Sequence, residues 1–187
     1  MARIISGIAR GRSLSIPPAG TRPTTDRAKE GLFSSLSVRF GFTDAVVLDL
    51  FAGSGALGLE AASRGAREVV LVESNHTAAE IAHRNADKVG VPGVRVVESE
   101  ASRYVATAPR DHFDIILADP PYALSDAAIA EMVTATVPLL THGGVLVVER
   151  HVESAATPWP ANMTPTTQKL KKRTYGTTRF DMAVRTQ

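Results

Sequence analysis

Five apolar runs of strand length recur along the chain, and between them apolar side chains return every three or four positions. The runs are "AVVLDLF" (45–51), "EVVLVE" (68–73), "VRVVES" (94–99), "FDIILAD" (113–119) and "GGVLVVERH" (143–151). Near-continuous apolar strands of this kind are buried on both faces. The intervening segments predict helices over 56–65, closed by Gly65, over 76–90, closed by Gly90, near 101–107, and over 125–140. Strand–helix alternation of this regularity predicts an α/β fold, a doubly wound, mostly parallel sheet with helices on both faces.

The two ends depart from that rhythm. "RIISG" and "GRSLSIP" predict a small N-terminal β-hairpin, followed by a connector from Pro17 to Pro23. A helix follows in "TTDRAKEGLFSSLSVRF", with Thr25 or Asp26 as its N-cap and Ala28, Leu32, Phe33 and Leu36 as its buried stripe. The tail "TTQKLKKRTYGTTRFDMAVR" has two β-like halves about a "YGTT" turn, which predicts an antiparallel hairpin on one edge of the sheet. The expected organisation is therefore a basic hairpin extension, residues 1–23, and one α/β domain, residues 24–187.

Bulk composition narrows the class without choosing a function. The 187 residues suffice for one well-buried domain, and 44% hydrophobic with 21% charged residues is ordinary for a globular protein. No apolar stretch has transmembrane length, and "MARIISGIARGR" lacks the hydrophobic core of a signal peptide, so a cytoplasmic setting without membrane contact is expected. There are no cysteines, and the five histidines show no metal-ligand spacing, so no metal site is expected. Charge is more informative. The net charge of +2 conceals a local excess of four positive charges in residues 1–30 and of five in residues 169–187, around an acidic centre. If these ends meet in space, they form a polyanion-binding face.

"DLFAGSGALG" follows the first strand of the main domain and opens a helix. Gly53, Gly55 and Gly58 have the spacing of a dinucleotide-binding turn, and Glu73 ends the next strand twenty residues after Gly53, where it can accept ribose hydroxyls. Nicotinamide dinucleotide and S-adenosylmethionine (SAM) both satisfy this pattern, but a dehydrogenase needs a second substrate domain for which the chain has no length. The fourth strand ends in "LADPPYA", residues 117–123. Its two prolines stop the strand and hold a carboxylate and an aromatic ring at the ligand edge of the sheet. An aniline-like NH₂ is a poor nucleophile because its lone pair is delocalised. In the amino-methyltransferases that this motif resembles, acceptors for the two N–H bonds, here Asp119 and a carbonyl of the Asp-Pro-Pro turn, would free that pair, while Tyr122 would stack on a flipped base.

Asp119-Pro120-Pro121-Tyr122 resembles the D/N-P-P-Y/F/W signature of the SAM-dependent amino-methyltransferases, and Phe51-Ala52-Gly53-Ser54-Gly55 resembles their F-x-G-x-G loop. That resemblance implies catalytic roles for Asp119, Pro120 and Tyr122. It also implies cofactor contacts at Asp49, Phe51, Gly53, Ser54, Gly55, Glu73, Ser74, Glu100, Ala101 and Asp119. Glu100 stands where the family usually has Asp or Asn. The signature alone leaves adenine N6, cytosine N4 and guanine N2 open.

The stretches "RIISGIARGRSLSIP", "TRPTTDRAKEGLFSSL" and "KKRTYGTT" are similar to the RsmD family of bacterial methyltransferases, which act on guanine N2 of small-subunit ribosomal RNA. The resemblance runs from residue 3 to about 185. It implies a seven-stranded Rossmann-like SAM-methyltransferase sheet and methylation at guanine 966 of 16S rRNA, within the small subunit or an assembly intermediate. It further implies RNA contacts by Arg3, Arg10, Arg12, Arg22, Arg27, Lys171, Lys172 and Arg173. Arg22, Thr24, Thr25 and Arg27 are placed to reach either RNA or the methionine carboxylate of SAM. Tyr175 reads as a stacking platform or as edge packing, and Glu149 as a ligand-edge carboxylate or the partner of a basic neighbour. The expected oligomeric state is a monomer. The alternatives are an adenine-N6 methyltransferase on DNA and a non-catalytic RNA-binding protein that retains a SAM pocket.

Overall fold

A computed structural model describes residues 2–17 and 25–186. Most of the expected connector, with Arg22 and Thr24 and the 23/24 boundary, lies outside the described residues. The elements follow in chain order: β1 (Ala2–Arg3), β2 (Ser13–Leu14), α1 (Asp26–Arg39), β3 (Val46–Leu50), α2 (Ala56–Ser63), β4 (Glu68–Glu73), α3 (His76–Val89), β5 (Val94–Glu98), α4 (Ala101–Thr107), β6 (Phe113–Ala118), α5 (Asp126–Thr136), β7 (Leu140–His151), β8 (Met163–Pro165), β9 (Thr174–Tyr175) and β10 (Thr178–Arg185). β1 and β2 form a separate two-stranded ladder, and the main sheet runs β5-β4-β3-β6-β7-β10-β8, with β9 also paired to β10.

β3 to β7 are parallel, and β10 runs antiparallel to its neighbours β7, β8 and β9. Strand side chains alternate between two cores, as a period of two requires. Val47, Val69, Leu71, Ile115, Leu117, Val145 and Val147 pack on the face covered by α1, α2 and α3. Leu48, Leu50, Val70, Val72, Ile116, Leu146 and Val148 pack on the other, under α4 and α5. Thr25 caps α1, its Oγ1 accepting the Ala28 amide at 3.2 Å. None of the described helices is long and apolar enough to cross a membrane.

Three expectations need correction. The main sheet has eight strands rather than seven, because β8 and β9 both pair along the outer side of β10. The helix expected to reach 140 ends at Thr136. Val137-Pro138-Leu139 then makes a 3₁₀ turn, since a proline cannot donate into the preceding helical turn, and β7 starts at Leu140. In the tail only Thr174–Tyr175 pairs ahead of the turn, and Leu170–Lys172 takes a 3₁₀ turn instead of extending the hairpin.

The N-terminal ladder is fastened to the main domain by charges that sequence patterning does not show. Glu60, fully buried in α2, accepts the Ile5 amide at 2.8 Å and the Ser6 amide at 3.0 Å. It pairs with buried Lys29 of α1 at 3.5 Å and with Arg64 at 2.9 Å. Lys29 also donates to the Arg3 carbonyl, so it does not belong to the basic surface that the charge distribution implied. The basic tail is thinned in the same way. Arg179 is buried between Asp181 and the carbonyls of Val152, Ser154 and Ala155, and Arg185 pairs with Asp111.

Candidate active site

Sequential strands step outward in opposite directions from the β3/β6 junction, so loops leaving these two strands open a crevice at their carboxyl ends. β3 delivers Phe51 to Gly55 into the crevice and β6 delivers Asp119 to Tyr122. Registry fixes how the carboxylates are spaced. Asp49 pairs with Leu117, and Ala118 with Val148. Asp119 and Glu149 therefore leave neighbouring strands side by side, on the face that also carries Asp49.

The glycine turn is held from several directions. Glu73 accepts the Gly53 amide at 2.8 Å through one oxygen and the Asn75 amide at 2.8 Å through the other. Asn85, buried in α3, donates to the Ser54 carbonyl at 2.9 Å while exchanging bonds with both Ser15 backbone groups. No local pattern marks Asn85, because its partners lie 31 and 70 residues away. Phe51 has a φ of +63°, a left-handed conformation that costs a bulky residue and that gathers at functional turns. Gly53 has a φ of +55°, and a Cβ built there would meet no atom within 4 Å. Its backbone borders open space, which is what a ligand pressed against the main chain requires. Gly58 has a different role: a Cβ there would sit 2.2 Å from Leu71 Cδ2, so this glycine serves helix–sheet packing.

Beyond Phe51 lies a cleft of about 680 Å³ lined by Phe51, Glu100, Ala101, Val105, Leu124 and Met132 among others, a volume typical of sites for molecules of cofactor size. Glu100 N-caps α4 without a side-chain bond to it. Ser74 is exposed beside Glu73. Leu124 and Met132, which complete the apolar wall, come from α5 and the turn before it. Strand patterning had no means of assigning them to the crevice.

A second cleft, of about 530 Å³, is lined by Thr25, Arg27, Tyr122, Glu149, Tyr175 and Thr178 among others. Pro120 is buried, whereas Tyr122 is 54% exposed and meets the His151 ring edge-on at 6.0 Å. The Leu124 amide donates to the Pro121 carbonyl at 3.0 Å and closes the turn. Glu149, buried at the end of β7, accepts from Thr178 Oγ1 at 3.2 Å.

Burial pushes the Asp119 carboxyl up to about 8, and the carboxylates of Glu149 and Asp49 add to the rise. Asp49 is pushed up to about 7, again first by burial, with Glu73 adding and the Gly58 amide opposing. Its Oδ2 accepts that amide at 2.8 Å, and its buried Oδ1 has no partner among the described residues. The folded chain thus keeps two protons that the unfolded chain releases near pH 4. Their contribution to stability is complete below about pH 4 and is lost as pH rises through 7 to 8. Asp119→Asn removes one of these titrations. Urea denaturation between pH 5 and 8.5 will find the variant gaining on the wild type as pH rises; a pH-independent difference would contradict the assignment.

The basic residues expected to meet RNA fall into two groups. Arg27 and Lys171 line the Tyr122 cleft, and Lys171 and Lys172 also line an adjoining groove of about 740 Å³ with Arg39 and Lys169. Arg10 is exposed on the hairpin, and Arg3, also exposed, lies 3.4 Å from Asp26. Two others have partners on the protein: Arg173, half-buried, bonds Asp181 and the Phe180 carbonyl, and Arg12, though exposed, donates to the Val89 carbonyl at the end of α3. Tyr175 packs as an edge residue, its ring 6.1 Å from Phe180 and its hydroxyl donating to the Lys172 carbonyl at 3.0 Å. Trp159 packs against the α4/α5-side core.

The family described as Conserved hypothetical protein 95 matches residues 2–184. Ribosomal RNA small subunit methyltransferase D of Escherichia coli (strain K12) is 38% identical over 167 residues, covering 86% of this chain and 80% of that protein. The solved structure of yhhF from Escherichia coli superposes with a TM-score of 0.85 at 33% identity, covering 99% of this chain and 98% of the other. A magnesium protoporphyrin IX methyltransferase from Synechocystis, solved with bound SAM, shares the fold with a TM-score of 0.68 at 13% identity, over 89% of this chain and 87% of its own.

Proposed function

Because the chain belongs to the RsmD family of SAM-dependent methyltransferases, we propose that it methylates the exocyclic N2 of one guanine, position 966, in 16S ribosomal RNA. The observation that supports this reading is the meeting of the Phe51–Gly55 turn and the Asp119–Tyr122 turn at the ends of the paired strands β3 and β6, with Phe51 lining one cleft and Tyr122, Arg27 and Lys171 lining another. SAM fits the glycine-turn side: the backbone is open at Gly53, each Glu73 oxygen keeps a second lone pair for a ribose hydroxyl beside the amide it accepts, and Glu100 and Ala101 line an apolar slot for adenine. The small ribosomal subunit or an assembly intermediate is the substrate particle, and the enzyme acts as a monomer.

SAM supplies a methyl group on a sulfonium, which leaves as a neutral thioether. The protein prepares the nucleophile. Asp119 accepts one N2–H and the Pro120 carbonyl the other, since the Pro121 carbonyl is engaged by Leu124. Both acceptors stand on a turn stiffened by two prolines, so little reorganisation accompanies the reaction. The sulfonium of bound SAM would offset the burial and the neighbouring carboxylates that raise Asp119, so that the ionised carboxylate takes the surplus N2 proton after transfer. Tyr122 stacks on the extruded base.

Lys171 and Lys172, together with Arg3, Arg10, Arg22 and Arg27, hold phosphates and position the RNA without reading its sequence. Lys171→Ala will weaken subunit binding and reduce the slope of log affinity against log salt by about one; an unchanged slope would remove Lys171 from the surface. The reading as a whole is tested with methyl-labelled SAM and small subunits from cells lacking the enzyme. Label will enter the subunits and not duplex DNA, and the reverse pattern would overturn it.

A further inference from the structure

Resting on the guanine reading, we propose that Glu149 is the specificity-determining residue that selects guanine, by accepting the N1–H that lies next to the N2 amine.

Glu149 follows Val148 as Asp119 follows Ala118, and the register pairs Ala118 with Val148. The two carboxylates thus leave adjacent parallel strands side by side on one face. Glu149 is buried, and it lines both the Tyr122 cleft and a pocket of about 500 Å³ with Pro120, Pro121 and Tyr122. Thr178 Oγ1 donates to its Oε1 at 3.2 Å, which fixes the carboxylate from the β10 side. The methylation chemistry described above uses Asp119, Pro120 and Tyr122 and gives Glu149 no task.

The Watson–Crick edges of the three amine-bearing bases differ in the atom beside the amine. Guanine presents N1–H, a donor. Adenine presents N1 and cytosine N3, both bare acceptors. With the reacting amine against Asp119, the neighbouring ring atom faces the next acceptor on the sheet edge, which is Glu149. A buried carboxylate accepts a hydrogen bond from guanine N1–H and repels a ring-nitrogen lone pair. Sites built to hydrogen-bond a substrate group reject analogues lacking it because buried polar atoms are left unpaired. Two adjacent acceptors therefore match the donor–donor edge of guanine, and neither adenine nor cytosine offers one.

The test uses small subunits reconstituted with 16S rRNA carrying either guanine or 2-aminopurine at the target position. 2-Aminopurine keeps the N2 amine but has a bare N1. The wild-type enzyme will methylate the guanine subunits on the order of 10²-fold faster in kcat/KM, the cost of one unsatisfied buried polar group. Glu149→Gln, whose amide can donate to a bare N1, will narrow that ratio at least tenfold while binding SAM like the wild type. Equal rates on the two bases by the wild-type enzyme would overturn the role of Glu149 and leave the guanine-N2 reading intact. A wild-type preference that Glu149→Gln does not relax would place the discrimination elsewhere, for example at the O6 that 2-aminopurine also lacks. Label in N6-methyladenosine would overturn both readings.

Discussion

Asp119→Ala lowers methyl transfer by roughly 10²–10³-fold, the usual consequence of removing one preorganised polar group from a transition state, and leaves SAM binding little changed. In the proposed reaction Asp119 is the acceptor that stabilises the positive charge growing on the amine as the new N–C bond forms, whereas the glycine turn, Glu73 and the apolar cleft would hold the cofactor. Asp119→Asn retains an acceptor oxygen at the same place but lacks the negative charge and the capacity to take the proton, so its activity falls between the two. Single-turnover transfer alongside calorimetric SAM titration separates the contributions. Loss of SAM affinity in a folded Asp119→Ala protein would reassign the residue to cofactor binding.

Glu60→Ala has the largest expected effect on stability, a loss of about 3–5 kcal/mol, because it leaves a buried lysine without its counter-charge. At roughly 2–4 °C per kcal/mol for a chain of this size, the thermal midpoint falls by on the order of 10 °C. Burial already lowers the Lys29 pKa, and Glu60 is the nearest group opposing that. The Ile5 and Ser6 amides lose their acceptor in the same variant, so the N-terminal ladder loosens first. Hydrogen exchange of residues 4–9 will therefore rise more than that of β3. Glu60→Leu combined with Lys29→Met will recover part of the loss, since no uncompensated charge then remains. A double variant less stable than Glu60→Ala would contradict the account.

What could be read from the chain was what neighbours in sequence decide. β4 and α4 run over the expected residues, and β3, β5 and β6 end within a residue or two of expectation, because apolar runs and glycine stops are local. The same holds for the crevice: a glycine turn after one parallel strand and Asp-Pro-Pro-Tyr after another must meet once the strands pair. Long-range pairing was not legible. Lys29 and Arg179 looked like surface charge in a basic tract, yet both are buried with partners inside the fold, and Arg12 and Arg173 bond a carbonyl and a carboxylate of other elements. Glu149 could be placed at the ligand edge by its strand, but its neighbour Asp119 and its donor Thr178 emerge only from the register of β6, β7 and β10. β8 was missed because three residues carry too little pattern to predict a strand.

The most direct test of the central claim is the identity of the methylated nucleoside. Small subunits from cells lacking the enzyme are incubated with it and methyl-labelled SAM, and the extracted 16S rRNA is digested to nucleosides and chromatographed. The account predicts label in N2-methylguanosine alone, at one position, and incorporated roughly 10²–10³-fold more slowly by Asp119→Ala. Label in N6-methyladenosine, or none at all despite SAM binding, would contradict it.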